Sequence, residues 1–341
     1  MDGSIYRVSL QELAVLIRNP YVTESFSAIS ECPYVLVDFN LPTNLNRADY
    51  QYTCDQLHQL SCPIIAIIPQ SLRLAFKALA EIFDLVVADD SSVGIIIRNI
   101  QQNPSAAMTL VQLARHNARV NDSDALLAES LAYATLQGGL EFKKYITRAD
   151  RPALIHQTNF VEPMVKVERF EKELAIVLNR PTLGNPFTSE MRESLFEGLC
   201  LLASDETIEK AIISGAGDNF CIGGYYEDSG VVSDTATAHA IRSARSVSAK
   251  LIENRQRIEF HLQGKCIGAG IELPAFASHV RAERDTVFQL PEITMGLVPG
   301  TGGTLSILKR IGRQRFCYFA LSAEIIESNT ALEWGLIDKV C

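Results

Sequence analysis

The chain has 341 residues, of which 47% are hydrophobic and 21% are charged. These proportions exclude a disordered chain, and the length allows a large hydrophobic core and two domains. The 31 basic and 40 acidic residues give a net charge of −9. Because a nucleic-acid-binding surface needs an excess of cations, this balance argues against nucleic acid as a partner, although it leaves room for a local basic groove that binds a phosphorylated ligand.

The cysteines and the start of the chain bear on its compartment. The 8 cysteines form neither a CxxC pair nor a zinc-ligand spacing, and several lie in apolar runs. We therefore predict free thiols, no metal site and a cytoplasmic protein. The start of the chain lacks the pattern of a signal peptide, and no apolar run reaches the roughly 20 residues that span a bilayer. We expect no membrane partner.

The first part of the chain alternates short apolar runs with helical patterns. The runs predict buried strands at residues 34–38, 63–68 and 84–88. This is an α/β segment with too few strands for a complete doubly wound domain. Because no glycine-rich turn follows any of these strands, the sequence gives no support to a dinucleotide-binding site here.

A purely helical pattern begins at residue 103. Asn103 and Pro104 are typical of a helix start, with proline in the first turn, and a longer helix is predicted from Asp122 onward. Residues 148–163 are polar and interrupted by proline, which predicts a linker.

The second half of the chain returns to strands and then adds glycine. Alternating residues at 165–170 and an apolar run at 173–178 predict a hairpin through Glu171 and Lys172, followed by parallel strands. Glycine-bearing turns then occur where strands should give way to helices, at residues 221–224, 264–270 and 299–303. Backbone N–H groups at such turns are natural donors to a developing oxyanion.

Five blocks of the second half occur in an order that is typical of one enzyme family. They are ELAIVLNRP at 173–181, NFCIGG at 219–224, GAGIEL at 268–273, FQLPEITMGLVPGTGG at 288–303, and LSAEIIE at 321–327 with EWGLIDKV at 333–340. Together these blocks resemble the crotonase (enoyl-CoA hydratase/isomerase) superfamily. The resemblance implies an α/β fold with a crotonase-like ββα superhelix core over residues 160–341.

The resemblance implies an oxyanion hole made of two peptide N–H groups, which in the family hold the thioester carbonyl and stabilise the enolate. Those positions fall on Gly224 and Ala269, and each donor would contribute on the order of 3 kcal/mol to the transition state. The alternative is that the double glycine is only a tight turn. The blocks also imply contacts to the substrate or its CoA part from Arg180, Cys221, Ile222, Tyr225, Tyr226, Gly268 and Gly300.

Glu272 and Glu292 match the two family glutamates that act as acid and base on water and on the substrate α-carbon. The alternative for each is a solvated surface carboxylate. Because hydration needs one group to activate water and another to protonate carbon, the pair favours adding water to, or removing it from, a 2-enoyl-CoA. Double-bond isomerisation, hydrolysis or decarboxylation at the same site, and a non-catalytic acyl-thioester-binding scaffold are the alternatives. No cofactor is implied besides the CoA of the substrate.

Some positions depart from the family pattern. Tyr225 and Tyr226 stand where an aspartate is usual, and they either wall an acyl pocket or pack in the interior. His261 lies on a strand of alternating polarity, where a hydrogen-bonded structural role is favoured over a catalytic one. The usual basic residue before the second block is absent. Arg180, Arg242 and Arg245 are candidates to replace it, the alternative being solvated arginines.

The helices that follow the last block in the family, where they cover the active site and form trimer contacts, have no counterpart after residue 340. Residues 103–150 look like those helices. The hypothesis is a rearranged crotonase: residues 1–102 are a degenerate, non-catalytic α/β half-copy, the displaced helices follow, and the catalytic core comes last. The alternative is an unrelated N-terminal domain. We expect an acyl-CoA or acyl-carrier thioester as the substrate, and a homotrimer or hexamer.

Overall fold

The computed structural model describes residues 5–74, 76–148, 162–224 and 234–341, and shows a mixed α/β fold with sheets of three, three and six strands. Within these ranges, no helix combines the length and the apolar character that crossing a bilayer would require.

The first sheet contains three parallel strands in the order β1-β2-β3: β1 Val35–Asp38, β2 Ile64–Ile67 and β3 Leu85–Val87. The three predicted strands are therefore confirmed. Their sequences are continuous apolar runs because the side chains on both faces of the sheet are packed against other parts of the protein. The helices of this part are α1 Leu10–Leu16, α2 Val22–Ser25, α3 Arg47–Leu57, α4 Lys77–Ala80 and α5 Val93–Gln102.

The two faces of this sheet belong to two different hydrophobic cores. Successive strand residues point to opposite sides, so Val35 and Val37 face a local core with residues of α1 and α3, such as Leu13. Leu36 and Ile65 face the other way and join the large core that contains most of the remaining chain. One face of this N-terminal sheet is thus packed against the rest of the molecule.

Three helices lead from this unit to the second half: α6 Pro104–Asn117, α7 Asp122–Gln137 and α8 Leu140–Ile146. The predicted starts of the first two are confirmed. Pro104 stands in the first turn of α6, where the missing N–H costs nothing. The Asn121 side chain accepts from the backbone N–H of Asp124 and so caps α7.

The main sheet has six strands in the order β12-β9-β7-β6-β5-β4. The two strands that come first in the chain, at residues 165–170 and 173–178, form the predicted antiparallel hairpin. Glu171 in its turn has φ 52°, in the left-handed region. The other neighbours in the sheet are parallel. The strands are β4 Val165–Phe170, β5 Glu173–Leu178, β6 Lys210–Gly215, β7 Ile258–Leu262, β9 His279–Ala282 and β12 Lys339–Val340.

A small sheet in the order β11-β10-β8 lies beside it and leads into the glycine-bearing turns. Its strands are β8 Lys265–Ile267, β10 Val287–Gln289 and β11 Ile326–Glu327. β8 and β10 run parallel, with Ile267 opposite Gln289. The helices of this half are α9 Ser189–Ser204, α10 Thr235–Ala244, α11 Val247–Asn254, α12 Ala269–Glu272, α13 Gly303–Ser322 and α14 Ser328–Trp334.

The alternating polarity of β7 has a structural cause. Glu259 is buried on the sheet and accepts from Lys210 at 2.8 Å, His261 at 2.7 Å and Arg281 at 2.6 Å. Burial by itself raises the pKa of Glu259, but the hydrogen bonds from Lys210 and His261 outweigh it and bring the pKa down to about 2. His261 therefore has the structural, hydrogen-bonded role that the sequence favours.

This carboxylate should make stability depend on acid pH. Because its pKa is lower in the folded than in the unfolded chain, its contribution is complete above about pH 4.5 and is lost as the pH falls towards about 2. We expect Glu259→Gln to lower the free energy of unfolding by about 2 kcal/mol at neutral pH. In urea denaturation, the difference in the free energy of unfolding between Glu259→Gln and the wild type should shrink as the pH falls from about 4.5 towards about 2.

The control is the exposed Glu209, which pairs with Lys172. Glu209→Gln should change the free energy of unfolding by less than about 1 kcal/mol. A pH-independent loss in Glu259→Gln would contradict the assignment.

Candidate active site

The two predicted oxyanion positions stand on neighbouring backbone segments. Residues 221–224 carry Gly224 and are joined to β8 by a parallel bridge between Cys221 and Cys266. Ala269 follows β8. Ala269 is the first residue of α12, so its N–H has no carbonyl acceptor within that helix.

Glycine is required where these segments meet. Gly268 has φ 50° and ψ −117°, a conformation that residues with a side chain rarely adopt. A Cβ on Gly270 would collide with the backbone carbonyl oxygen of Cys221. The glycines of this block therefore permit the close approach of the two backbone segments.

Glu272 ends α12 and is buried, with 2% of its surface exposed. Its Oε2 accepts from the backbone N–H groups of Thr301, at 2.8 Å, and Gly303, at 3.0 Å. Burial raises the pKa of this carboxyl, and the hydrogen bonds from the two amides oppose the rise. A Cβ on Gly303 would lie 2.7 Å from Oε2. The glycine is therefore what lets the loop close on the carboxylate.

Glu292 emerges at the same edge of the small sheet. It follows β10, the parallel neighbour of β8, and begins the 3₁₀ turn Glu292–Met295. The residue is 3% exposed, and its turn packs against α5, α8 and α13. Because the carboxyl ends of parallel strands meet at one edge, Glu272 and Glu292, which follow β8 and β10, lie at the same edge of the small sheet. Neither glutamate is a solvated surface carboxylate.

A third buried glutamate, which sequence reasoning missed, binds the same loop. Glu129 of α7 is 3% exposed. Its Oε1 accepts from the N–H of Gly302 at 2.6 Å, and its Oε2 accepts from the N–H of Thr304 at 3.0 Å. The Thr304 hydroxyl donates to the same Oε2 at 2.5 Å. Burial, followed by the negative charge of Glu272, raises the pKa of Glu129 to about 8.

The helical spacing of α7 is the signal that could have found this residue. Ala125, Glu129 and Tyr133 recur every four residues, and all three are buried, as one face of a helix requires. Tyr133 packs on the loop so closely that a Cβ on Gly300 would collide with its ring. The helical segment before the linker thus lies directly on the candidate active site.

A pocket of about 280 Å³ opens beside the loop, between α7, α10 and α11. Its apolar walls include Leu126, Leu127, Phe187, Val247 and Leu273, and its cations are Arg192, Arg242 and Arg245. Arg245 pairs with Glu193 and Glu197, and Arg192 also pairs with Glu193.

Arg242 is placed differently from the other two cations. Its guanidinium lies 4.9 Å from the centre of the Tyr133 ring and donates to the Ser130 hydroxyl at 3.2 Å. Burial lowers its pKa. Neither Arg242 nor Arg245 is a simply solvated arginine.

The sequence assigns Arg180 to CoA contacts, and the structure uses its guanidinium elsewhere. The Nη atoms donate to the backbone carbonyls of Glu162, Pro163 and Asn179, at 2.6 to 3.0 Å, and the residue is buried. These bonds anchor the start of β4 and commit the donors to the fold. These contacts are not those of a solvated arginine, and a contact of Arg180 with the CoA part of the substrate stays a prediction.

The remaining predicted contacts differ in what they offer a ligand. The Cys221 thiol is buried, and burial raises its pKa to about 12, so it is neutral and contributes only its backbone. Ile222 is 41% exposed, and its N–H donates to Gly184 O at 3.1 Å. Tyr225 and Tyr226 lie outside the described residues.

Comparison with known proteins supplies a family. Residues 171–341, just over half of the chain, match the enoyl-CoA hydratase/isomerase family model. A 2,3-dehydroadipyl-CoA hydratase of Escherichia coli (strain K12) is 29% identical over 51% of this chain and 68% of that enzyme. A 1,2-epoxyphenylacetyl-CoA isomerase of the same strain is 30% identical over 49% of this chain and 65% of that enzyme.

Two further relatives complete the comparison. A trans-2-decenoyl-[acyl-carrier-protein] isomerase of Streptococcus mutans is 26% identical over 49% of this chain and 65% of that enzyme. The crystal structure of an enoyl-CoA hydratase from Thermoplasma volcanium has a TM-score of 0.49 at 28% identity, over 53% of this chain and 72% of that chain. The chain thus spans about two thirds of the length of the sequence relatives named here.

Proposed function

Because the chain belongs to the enoyl-CoA hydratase/isomerase family, we propose that it adds water to, or removes water from, a 2-enoyl-CoA thioester. One observation carries the proposal. Two buried glutamates, Glu272 and Glu292, follow adjacent parallel strands and emerge at the same sheet edge, and we propose that the N–H groups of Gly224 and Ala269 act as the two donors there. Hydration across a double bond needs these parts: two donors for an enolate oxygen, one base and one acid.

The proposed reaction starts with the thioester carbonyl oxygen held by the N–H groups of Gly224 and Ala269. As the enolate forms, negative charge develops on this oxygen, and the two preorganised donors stabilise it. Each contributes about 3 kcal/mol in comparable oxyanion holes. The stabilisation acts mainly on the charged transition state and so raises the rate rather than the affinity.

The two carboxyl groups divide the proton transfers. We assign the base to Glu272, because two amides bind its Oε2 and stabilise its ionised form. It takes a proton from water while the water oxygen bonds to the β-carbon, and the π electrons move onto the thioester oxygen. Glu292 donates a proton to the α-carbon as the carbonyl re-forms. The product gains one molecule of water, and no cofactor besides the CoA of the substrate takes part.

Isomerisation is the second candidate function. It is favoured by the names of two relatives, which are isomerases of an epoxyacyl-CoA and of an acyl-carrier-protein thioester. Moving a double bond needs a single carboxylate that carries a proton from one carbon to another, so a second buried glutamate is not required. Thioester hydrolysis and a non-catalytic acyl-binding role would use the same oxyanion pair.

Product analysis in ¹⁸O-labelled water separates these functions. With crotonyl-CoA we expect loss of the ultraviolet absorbance of the conjugated thioester and a hydroxyacyl-CoA that carries one labelled oxygen. An unlabelled product with a shifted double bond would instead establish isomerisation. Free CoA would establish hydrolysis. Binding without turnover of crotonyl-CoA and of longer or aromatic enoyl-CoAs would establish the scaffold.

The arrangement of the whole chain is part of the proposal. The placement of α6 and α7 on the loop at residues 300–304 and of α8 on the turn at Glu292–Met295 supports the hypothesis that they replace the helices that follow the catalytic core in other family members. The N-terminal α/β unit, which has no counterpart of the glutamate pair, would then be structural. A homotrimer or hexamer, an acyl-carrier thioester as an alternative substrate and a cytoplasmic location stay proposals of the same kind.

A further inference from the structure

Two buried carboxylates divide the backbone amides of one loop between them. Along residues 301–304, the first and third N–H groups bind Glu272, and the second and fourth bind Glu129. Such an alternation leaves the loop little freedom, because moving any one amide breaks a hydrogen bond to a buried carboxyl group. Glu129 comes from α7, outside the residues that match the family model.

We propose that Glu129 is a positioning residue for the base Glu272: it fixes the loop that holds the Glu272 carboxylate, and the two carboxyl groups titrate as a pair. The inference rests on the proposed function for the role of Glu272, while the pairing itself rests on the geometry. Two carboxylates that share so small a buried space cannot both ionise easily, because their repulsion is strong where water is excluded.

The described groups around Glu129 supply hydrogen bonds but no directly bonded counter-charge. On its own helix, Tyr133 lies one turn further along, and Ser130 beside it binds His239 at 2.8 Å. Asn117 of α6 donates to the Thr304 hydroxyl at 3.0 Å. The charged or titratable groups on the elements that surround it, within the described residues, are Glu272, Tyr133, Arg242, His239, Arg192 and His116. In the described residues no cation bonds directly to the Glu129 carboxyl.

The pairing has a consequence for the reaction. Burial and the negative charge of Glu272 raise the pKa of Glu129 to about 8, so the second ionisation of the pair lies near that pH. Above that pH a second charge forms beside the site and opposes the negative charge of the enolate. Activity should therefore fall as Glu129 ionises.

The test is the pH profile of kcat for three forms of the full-length protein. We expect kcat of the wild type to fall above about pH 8. In Glu129→Gln, any fall of kcat at alkaline pH should begin more than about one pH unit higher. Glu129→Asp keeps a titratable carboxyl and should keep an alkaline fall. If Glu129→Gln and the wild type share the same alkaline limb, Glu129 only supports the fold and the proposal is wrong.

A second measurement does not depend on activity or on a folded variant. The infrared spectrum of the wild type should contain the C=O stretch of a buried protonated carboxyl group at neutral pH, and this band should disappear as the pH rises through about 8. The absence of such a band would overturn the pairing. A titrating band in a protein without hydratase activity would keep the pairing and reject the proposed function alone.

Discussion

Replacing Glu272 by glutamine should lower kcat by about 10²–10⁴-fold, the usual contribution of a general acid or base. Glutamine has the same shape as glutamate and can keep its hydrogen bonds to the loop. Both amides bind the same oxygen, Oε2, so the amide oxygen of glutamine can accept both hydrogen bonds. The loop at 301–304 should keep its place, and only the ability to take a proton from water is lost. The measurement is kcat and KM with crotonyl-CoA.

The controls separate chemistry from folding. Glu206→Gln changes an exposed carboxylate and should leave kcat unchanged. Glu292→Gln should cost as much as Glu272→Gln, and the double variant little more, because residues that act as a unit are not additive. Thermal unfolding of Glu272→Gln should match the wild type within a few degrees. Full hydratase activity in either single glutamine variant would contradict the roles assigned to the two glutamates.

Removing the carboxylate of Asp84 should lower the free energy of unfolding by about 3–5 kcal/mol. Asp84 is completely buried at the start of β3. Its Oδ1 accepts from Arg115 Nε at 2.8 Å and from Arg313 Nη1 at 2.9 Å. Its Oδ2 accepts from Arg115 Nη2 at 2.5 Å and from the N–H of Ile64 at 2.9 Å. Asp84→Ala would leave two mostly buried guanidinium groups without their counter-charge.

This cluster links three parts of the chain: the N-terminal sheet, α6 through Arg115, and α13 through Arg313. Urea denaturation of Asp84→Ala is the measurement. The control is Asp90→Ala, which removes a largely exposed partner of Arg7 and should cost less than about 1 kcal/mol. Equal losses in the two variants would mean that the buried cluster does not hold the N-terminal unit on the core.

Local patterns were sufficient to predict much of the fold. The apolar runs at 34–38, 63–68 and 84–88 predict β-strands because they are shorter than a typical helix and rich in valine and isoleucine. The hairpin through Glu171 and the start of α6 follow from equally local rules. The glycine spacing of the last blocks is also local, since Gly268 and Gly270 are required where two backbone segments touch.

The rest depends on which segments meet in space. In the sequence, nothing distinguishes Glu129 from an ordinary glutamate in a helix rich in alanine and leucine. Its hydrogen-bond partners are more than 170 residues away along the chain. The repeat Ala125–Glu129–Tyr133 indicates a buried face but not what that face covers. The backbone contacts of Arg180 were unpredictable for the same reason: its donors reach carbonyls around residue 163, which precede it in the chain by about 17 residues.

The most direct test of the central claim, that one thioester site is built at the carboxyl edge of the small sheet, is a crystal structure with butyryl-CoA, which has no double bond to hydrate. We expect the thioester oxygen about 2.7–3.1 Å from the backbone nitrogens of both Gly224 and Ala269. The carboxyl groups of Glu272 and Glu292 should lie over the α- and β-carbons. A thioester bound elsewhere, or one whose oxygen reaches only one of the two amides, would contradict the account.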